Sequence, residues 1–192
     1  RQGPLWQAAP EAVAAGVSGQ ADGDAMTLSG PWRLLLLGDG SPTRHLQSLT
    51  GLEVTVDVIA MAADPGASGE APMEVAELDA PLLRRQVWLR CGPQILAWAE
   101  SWWNQTEAHQ HLRERNQPIW RSLTANRAEL YREVDGLALV EAPRLEEGFG
   151  QPGPYWSRHY RFFRGGRELT VVREVFSPAL EHWLGPAQHI AS

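Results

Sequence analysis

The chain has 192 residues, with 17 basic and 23 acidic side chains and a net charge of −6, enough length for one domain burying roughly two thirds of its unfolded surface. That balance argues against nucleic acid or an anionic membrane as a general partner, so an anionic ligand needs a local basic pocket. Every basic residue is arginine, which excludes Schiff-base, Walker-loop and pyridoxal-phosphate chemistry, because each requires a primary amine.

In chain order, residues 1–30 are rich in Ala, Gly and Gln and read as a weakly structured N-terminal extension to a domain over 31–192. They show no secretory signal, and no apolar run in the chain approaches the ~20 residues of a membrane span. Pro31 opens a predicted helix through Leu37 that Gly38 stops; Ser41 then resembles an N-cap, with Pro42 at the first helical position and an end near Gly51. LEVTVDVIAM (52–61) alternates as a strand, with Leu52, Val54, Val56 and Val58 on one side. PLLRRQVWLR and PQILAWAESWW follow as a hairpin across Arg90-Cys91-Gly92-Pro93.

Cys91 is the only cysteine. It reads as a small buried hydrophobe in a protein of a reducing, cytoplasmic setting, and the sequon at Asn104 is then accidental. Two helices are predicted next, Thr106 to about Arg115 and Pro118 to about Leu130. Strands return at LYREVDGLALVEA and at YWSRHYRFFRGGRELTVVREVF, where Gly165-Gly166 signals a hairpin. Antiparallel strands with helices set aside imply an α+β fold.

Several candidate sites can be weighed on residues alone. GDGSPT (38–43) lacks the lysine and glycine spacing of a phosphate loop, and what survives is a capped helix whose first amides can meet a carboxylate. Glu107, His109 and His111 carry no further metal-ligand spacing, so they read as a solvated helix. No serine sits in a nucleophile elbow. Two charges stand out, because Arg85 shares a strand face with Leu83, Val87 and Leu89, and Glu174 shares one with Val172 and Phe176. Buried charges need partners. Either Arg85 and Glu174 form a structural salt bridge, or both face a pocket in which Arg85 forks onto a carboxylate and Glu174 engages a hydroxyl. Arg158, Arg161, Arg164 and Arg167 read as the solvated side of a hairpin, with Arg158 able to border a pocket.

Taken in order, LLLLGDGSPTRHLQ, LLRRQVWL, QPIWRSL and VVREVFSP resemble the chorismate lyases (chorismate pyruvate-lyases), in particular their cyanobacterial and plastid-type branch. The resemblance implies a single α+β domain with an antiparallel sheet, helical flaps over a buried ligand site, no cofactor, and a monomer. It implies conversion of chorismate to 4-hydroxybenzoate and pyruvate for quinone synthesis, plastoquinone by branch. Carried over by motif, Arg85 holds a substrate carboxylate, Glu174 bonds the ring hydroxyl, and backbone donors fall at Pro42 and Ile119. Proline has no N–H, so that donor either moves to Thr43 or is lost. Glu100 departs from an arginine near that position in the better-known bacterial enzymes, which leaves open how the second carboxylate is held. The alternative to catalysis is a small-molecule binding domain, since a related fold serves as the effector-sensing half of certain bacterial transcription regulators.

Overall fold

The computed structural model describes residues 6–8, 19–21, 24–38, 41–66, 71–113, 115–124 and 131–189. The alternating runs become six strands of ten or eleven residues: β4 (Val54–Asp64), β5 (Leu82–Cys91), β6 (Gln94–Asn104), β7 (Tyr131–Val140), β8 (Tyr155–Arg164) and β9 (Arg167–Phe176). A seventh, β1 (Trp6–Ala8), joins at the edge, giving an antiparallel sheet in the order β1-β7-β8-β9-β6-β5-β4. The remaining short strands, β2 (Gly19–Ala21), β3 (Asp24–Leu28) and β10 (Gln188–His189), form a small separate sheet. Before Pro31 the described residues 6–8, 19–21 and 24–28 are held by backbone pairing, to β7 for the first and within the small sheet for the others.

Alternation sets the two faces of the sheet. Along β5 the odd-numbered Leu83, Arg85, Val87, Leu89 and Cys91 are buried, while Arg84, Gln86, Trp88 and Arg90 are half-buried. Central β6 is buried continuously from Leu96 to Trp103, so both faces of the sheet are covered there. Hairpin β8–β9 turns on Gly165 and Gly166, whose φ values of 56° and 75° suit glycine and match the strand twist. In β4 the expected alternation holds only to Val58. A bulge at Ile59 shifts the register so that Met61 takes up the inward side, and Leu52, half-exposed, precedes the strand.

Two cores fill the inner face. One lies beneath α1 (Gly30–Leu37) and α2 (Pro42–Thr50), where Trp32, Leu35, Leu36 and Leu46 pack on Val87, Leu89, Ala97, Leu139 and Phe176. Spacing of three and four residues puts Trp32, Leu35 and Leu36 on one side of α1, and each buried leucine contributes about 1.5–3 kcal/mol. Gly51 ends α2 in the left-handed region at φ 71°. The second core joins Leu83, Trp103, Phe162 and Leu169 to Ala108, Leu112 and Leu123 from the excursion between β6 and β7.

That excursion holds α3 (Gln105–His111) and α4 (Ile119–Thr124). Asn104 caps α3, its side chain accepting from the amides of Thr106 and Glu107 at 2.9 and 3.3 Å; the helix ends at His111, short of the expected Arg115. Residues 125–130, the expected end of the second helix, lie outside the described residues, as do Asp39 and Gly40 of the GDGSPT loop. Among the described residues no helix is long and apolar enough to cross a membrane.

Candidate functional site

Between the two inner-face cores lies a cavity. Ser41, Pro42 and Thr43 from the start of α2 wall one side, Pro118 and Ile119 at the start of α4 wall another, and β5, β6, β8 and β9 supply Arg85, Ser101, Tyr160 and Glu174. The room it leaves for a water-sized molecule is about 40 Å³, and all non-atom space including the mouth comes to about 470 Å³. All five predicted site residues, Pro42, Thr43, Arg85, Ile119 and Glu174, thus border one space although 132 positions separate the first from the last.

Arg85 and Glu174 do not pair with each other. Arg85 is 2% exposed, and its Nη2 donates to the carbonyls of Arg115 and Gln117 at 2.7 and 3.2 Å, binding strand β5 to the loop between α3 and α4. Its Nε has no hydrogen-bond partner, and no carboxylate pairs with it among the described residues. Burial without a counter-charge pushes the guanidinium down to about 10. It remains protonated at neutral pH, so the cavity contains one uncompensated positive charge.

Glu174 is paired instead with Arg158. Arg158 Nε donates to Glu174 Oε2 at 2.6 Å, and the Tyr160 hydroxyl donates to Oε1 at 2.6 Å. Nη1 of Arg158 also donates to the carbonyls of Leu35, Leu36 and Gly38, the C-terminal end of α1, where a cation is favoured. Arg158 is 1% exposed, which corrects its placement on the solvated side of the hairpin. The signal was available: Trp156, Arg158, Tyr160 and Phe162 repeat at the strand period of two, whereas the four arginines repeat at three and conceal it.

Glu100 lies on the other face of the sheet. It sits opposite Gln86, and its carboxylate accepts from Arg173 Nε at 2.7 Å, Arg84 Nε at 2.9 Å and Gln86 Nε2 at 3.2 Å. Arg84 and Arg173 also stack over the Trp102 ring. Glu100 also borders the cavity from β6, but its carboxylate is taken up by Arg84, Gln86 and Arg173. The second backbone donor, if α2 provides one, starts at Thr43, since Pro42 has none; Thr43 Oγ1 and Ser41 Oγ are 2.7 Å apart beside it.

Among the described residues no group of three or more His, Cys, Asp or Glu side chains is placed to hold a metal ion. Glu107 and His111 form an i,i+4 contact at 3.3 Å on α3. Burial, assisted by Arg164, lowers His111 below the usual histidine range.

A family model described as chorismate pyruvate-lyase Rv2949c-like matches residues 36–184, a span containing every residue of the cavity wall. The chain belongs to that family. Relatives of this chorismate pyruvate-lyase-like chain include proteins named uncharacterized protein ycf21. That of Cyanophora paradoxa is 28% identical over 151 residues, covering 78% of each chain. That of Porphyra purpurea is 31% identical over 153 residues, covering 79% of this chain and 83% of its own. Among solved structures, the effector domain of PhnF from Mycobacterium smegmatis matches with a TM-score of 0.56 at 15% identity, over 74% of this chain and 91% of that one. The possible transcriptional regulator YydK from Bacillus subtilis matches at 0.55 and 12% identity, over 73% of this chain and 64% of its own. These two likenesses are of fold, and they bear out an α+β domain with an antiparallel sheet.

Proposed function

We propose that the chain is a chorismate lyase, releasing 4-hydroxybenzoate and pyruvate from chorismate. The observation that carries this reading is the buried charge of Arg85, with no carboxylate beside it, in a cavity also bordered by the hydrogen-bonded pair Glu174 and Tyr160, which Arg158 backs from outside the wall. A ligand with a carboxylate at one end and a hydroxyl at the other suits that polarity, and apolar Val56, Val87, Leu89 and Val172 suit the ring between them.

The reaction balances without a redox partner. A hydrogen leaves the hydroxyl-bearing ring carbon as a proton, the neighbouring ether C–O bond breaks, and the enolpyruvyl fragment takes a proton on its methylene carbon to become pyruvate. Aromatisation drives the step. The residues need only bind, orient and exclude water. In this reading Arg85 exchanges the Arg115 and Gln117 carbonyls for the ring carboxylate, and α2 offers its first amides, from Thr43 onward, to an anion. Glu174, held on both oxygens, fixes the hydroxyl end. The room of about 40 Å³ is smaller than in ligand pockets generally (~300–1,000 Å³), so in this reading the Pro118–Ile119 wall has to move outward to admit substrate.

The fold shared with regulator effector domains makes binding without turnover the competing reading. Incubation with chorismate, followed by chromatography for 4-hydroxybenzoate and pyruvate in equal amounts, separates the two. Production in a 1:1 ratio above the spontaneous rate is expected, falling at least 100-fold in Glu174→Gln. Tight 4-hydroxybenzoate binding with no turnover would replace the enzyme with a sensor.

A further inference from the structure

Resting on the reading above, we propose that Tyr160 is a specificity-determining residue of this site: its phenolic oxygen accepts the hydrogen bond of the ligand's ring hydroxyl and passes the polarity of Glu174 to it. Glu174 also borders the cavity, but it does not face the ligand as a free carboxylate. Both of its oxygens are already engaged at 2.6 Å, by Arg158 Nε and by the Tyr160 hydroxyl. The Tyr160 contact is a short O–H···O⁻ bond of the charge-assisted kind, between side chains 3% and 1% exposed. A phenol that donates its proton still accepts through its oxygen, and donation into a carboxylate makes that oxygen a better acceptor.

Sheet register places the group. Tyr160 stands opposite Val172 and Arg158 opposite Glu174 in the β8–β9 ladder, so Tyr160 and Glu174 are diagonal neighbours on the inner face. Tyr160 also borders the cavity, whereas Arg158 is absent from its wall and acts from behind as a positioning residue. Its guanidinium lies 5.1 Å from the centre of the Tyr160 ring while holding Glu174, which fixes carboxylate and ring together. An arginine anchored by three carbonyls cannot follow a moving ligand, so the geometry of the acceptor is set before binding.

The test compares 4-hydroxybenzoate with benzoate, which keeps the carboxylate and lacks the hydroxyl, by titration calorimetry on the full chain and on Tyr160→Phe. The wild-type chain is expected to prefer 4-hydroxybenzoate by roughly 10- to 100-fold, as sites built to bond a hydroxyl do. Tyr160→Phe should shrink that preference at least tenfold by losing 4-hydroxybenzoate affinity alone, with benzoate unchanged. Equal loss on both ligands, or an intact preference, would overturn the role of Tyr160 while leaving the proposed function standing. Wild-type protein that binds neither ligand would instead overturn the function itself, and this inference with it. A ligand-side measurement needs no variant: 4-aminobenzoate, which retains a donor, should bind the wild-type chain more tightly than 4-fluorobenzoate. The reverse order overturns acceptance by the tyrosine.

Discussion

At the residue scale Arg85 is a buried charge with no carboxylate partner among the described residues, and in the proposed reading binding turns on it. Its guanidinium is fully charged in the unfolded chain and is buried against carbonyl oxygens in the folded one. Lowering it to about 10 sets the sign. Above about pH 10 the folded chain sheds this proton more readily than the unfolded one, so stability rises there with pH. At every pH below that the full cost applies, about 3 kcal/mol. Replacing the charge with an apolar side chain of similar length should therefore stabilise the free protein. Allowing for the donors lost by two carbonyls, Arg85→Met is expected to raise Tm by about 3–6 °C and to weaken 4-hydroxybenzoate roughly 100-fold or more. Scanning fluorimetry with and without the ligand reads both effects at once. A fall in the Tm of the free protein would mean that Arg85 serves chiefly to clasp the loop before α4.

At the scale of elements, the 3₁₀ turn Met73–Glu77 crosses the outer face of the sheet and is fastened there by Val75, by a His159–Glu74 contact at 3.2 Å and by Arg161, which also bonds Asp135. Glu168 on β9 lies in the same cluster. Burial, and then the carboxylates of Glu77 and Asp135, outweigh Arg161 and raise it to about 7. The folded chain thus holds a proton that the unfolded chain has released between about 4.5 and 7; this stability is complete below 4.5 and is lost as pH rises through 7. Glu168→Gln should raise Tm by about 2–4 °C at pH 8, solvent screening having trimmed the effect, and leave it within 1 °C at pH 5. A pH-independent change would show that lost packing, not titration, dominates. Elements of this kind also mark where sequence stops being informative. The inward Arg85 and Glu174 were legible because strands repeat every two residues, and the ends of α1 and α2 because Pro and Gly punctuate them. The bulge at Ile59, the end of α3 at His111 and the engagement of Arg158 depend on contacts from distant strands and helices, which no local pattern encodes.

At the scale of the whole molecule, the cavity is walled by parts that are far apart in the chain, each tied to the sheet by a buried arginine. Arg85 ties β5 to the α3–α4 loop, and Arg158 ties β8 to the end of α1, so both sides of the cavity are anchored to the same sheet. Opening the α4 side breaks two hydrogen bonds to Arg85 and leaves its charge unmet until an anion arrives. In the proposed reading the bound product replaces those bonds with a carboxylate, a stronger partner for a guanidinium. Release must then reverse this exchange, taking the carboxylate from a buried cation before the carbonyls can return. If the proposed lyase reading holds, the chemical step is assisted by aromatisation while release is opposed by charge, so release is expected to limit turnover. Mixing the chain with excess chorismate in a stopped-flow cell should give a burst of about one equivalent of 4-hydroxybenzoate per chain, followed by a slower linear phase. Arg85→Lys keeps the charge but cannot span two oxygens in the forked manner of arginine. It should lower the burst rate and narrow the gap between the two phases. A linear time course from the first turnover in the wild-type chain, with no burst, would place the barrier in the chemistry and remove the Arg85 exchange from control of the rate.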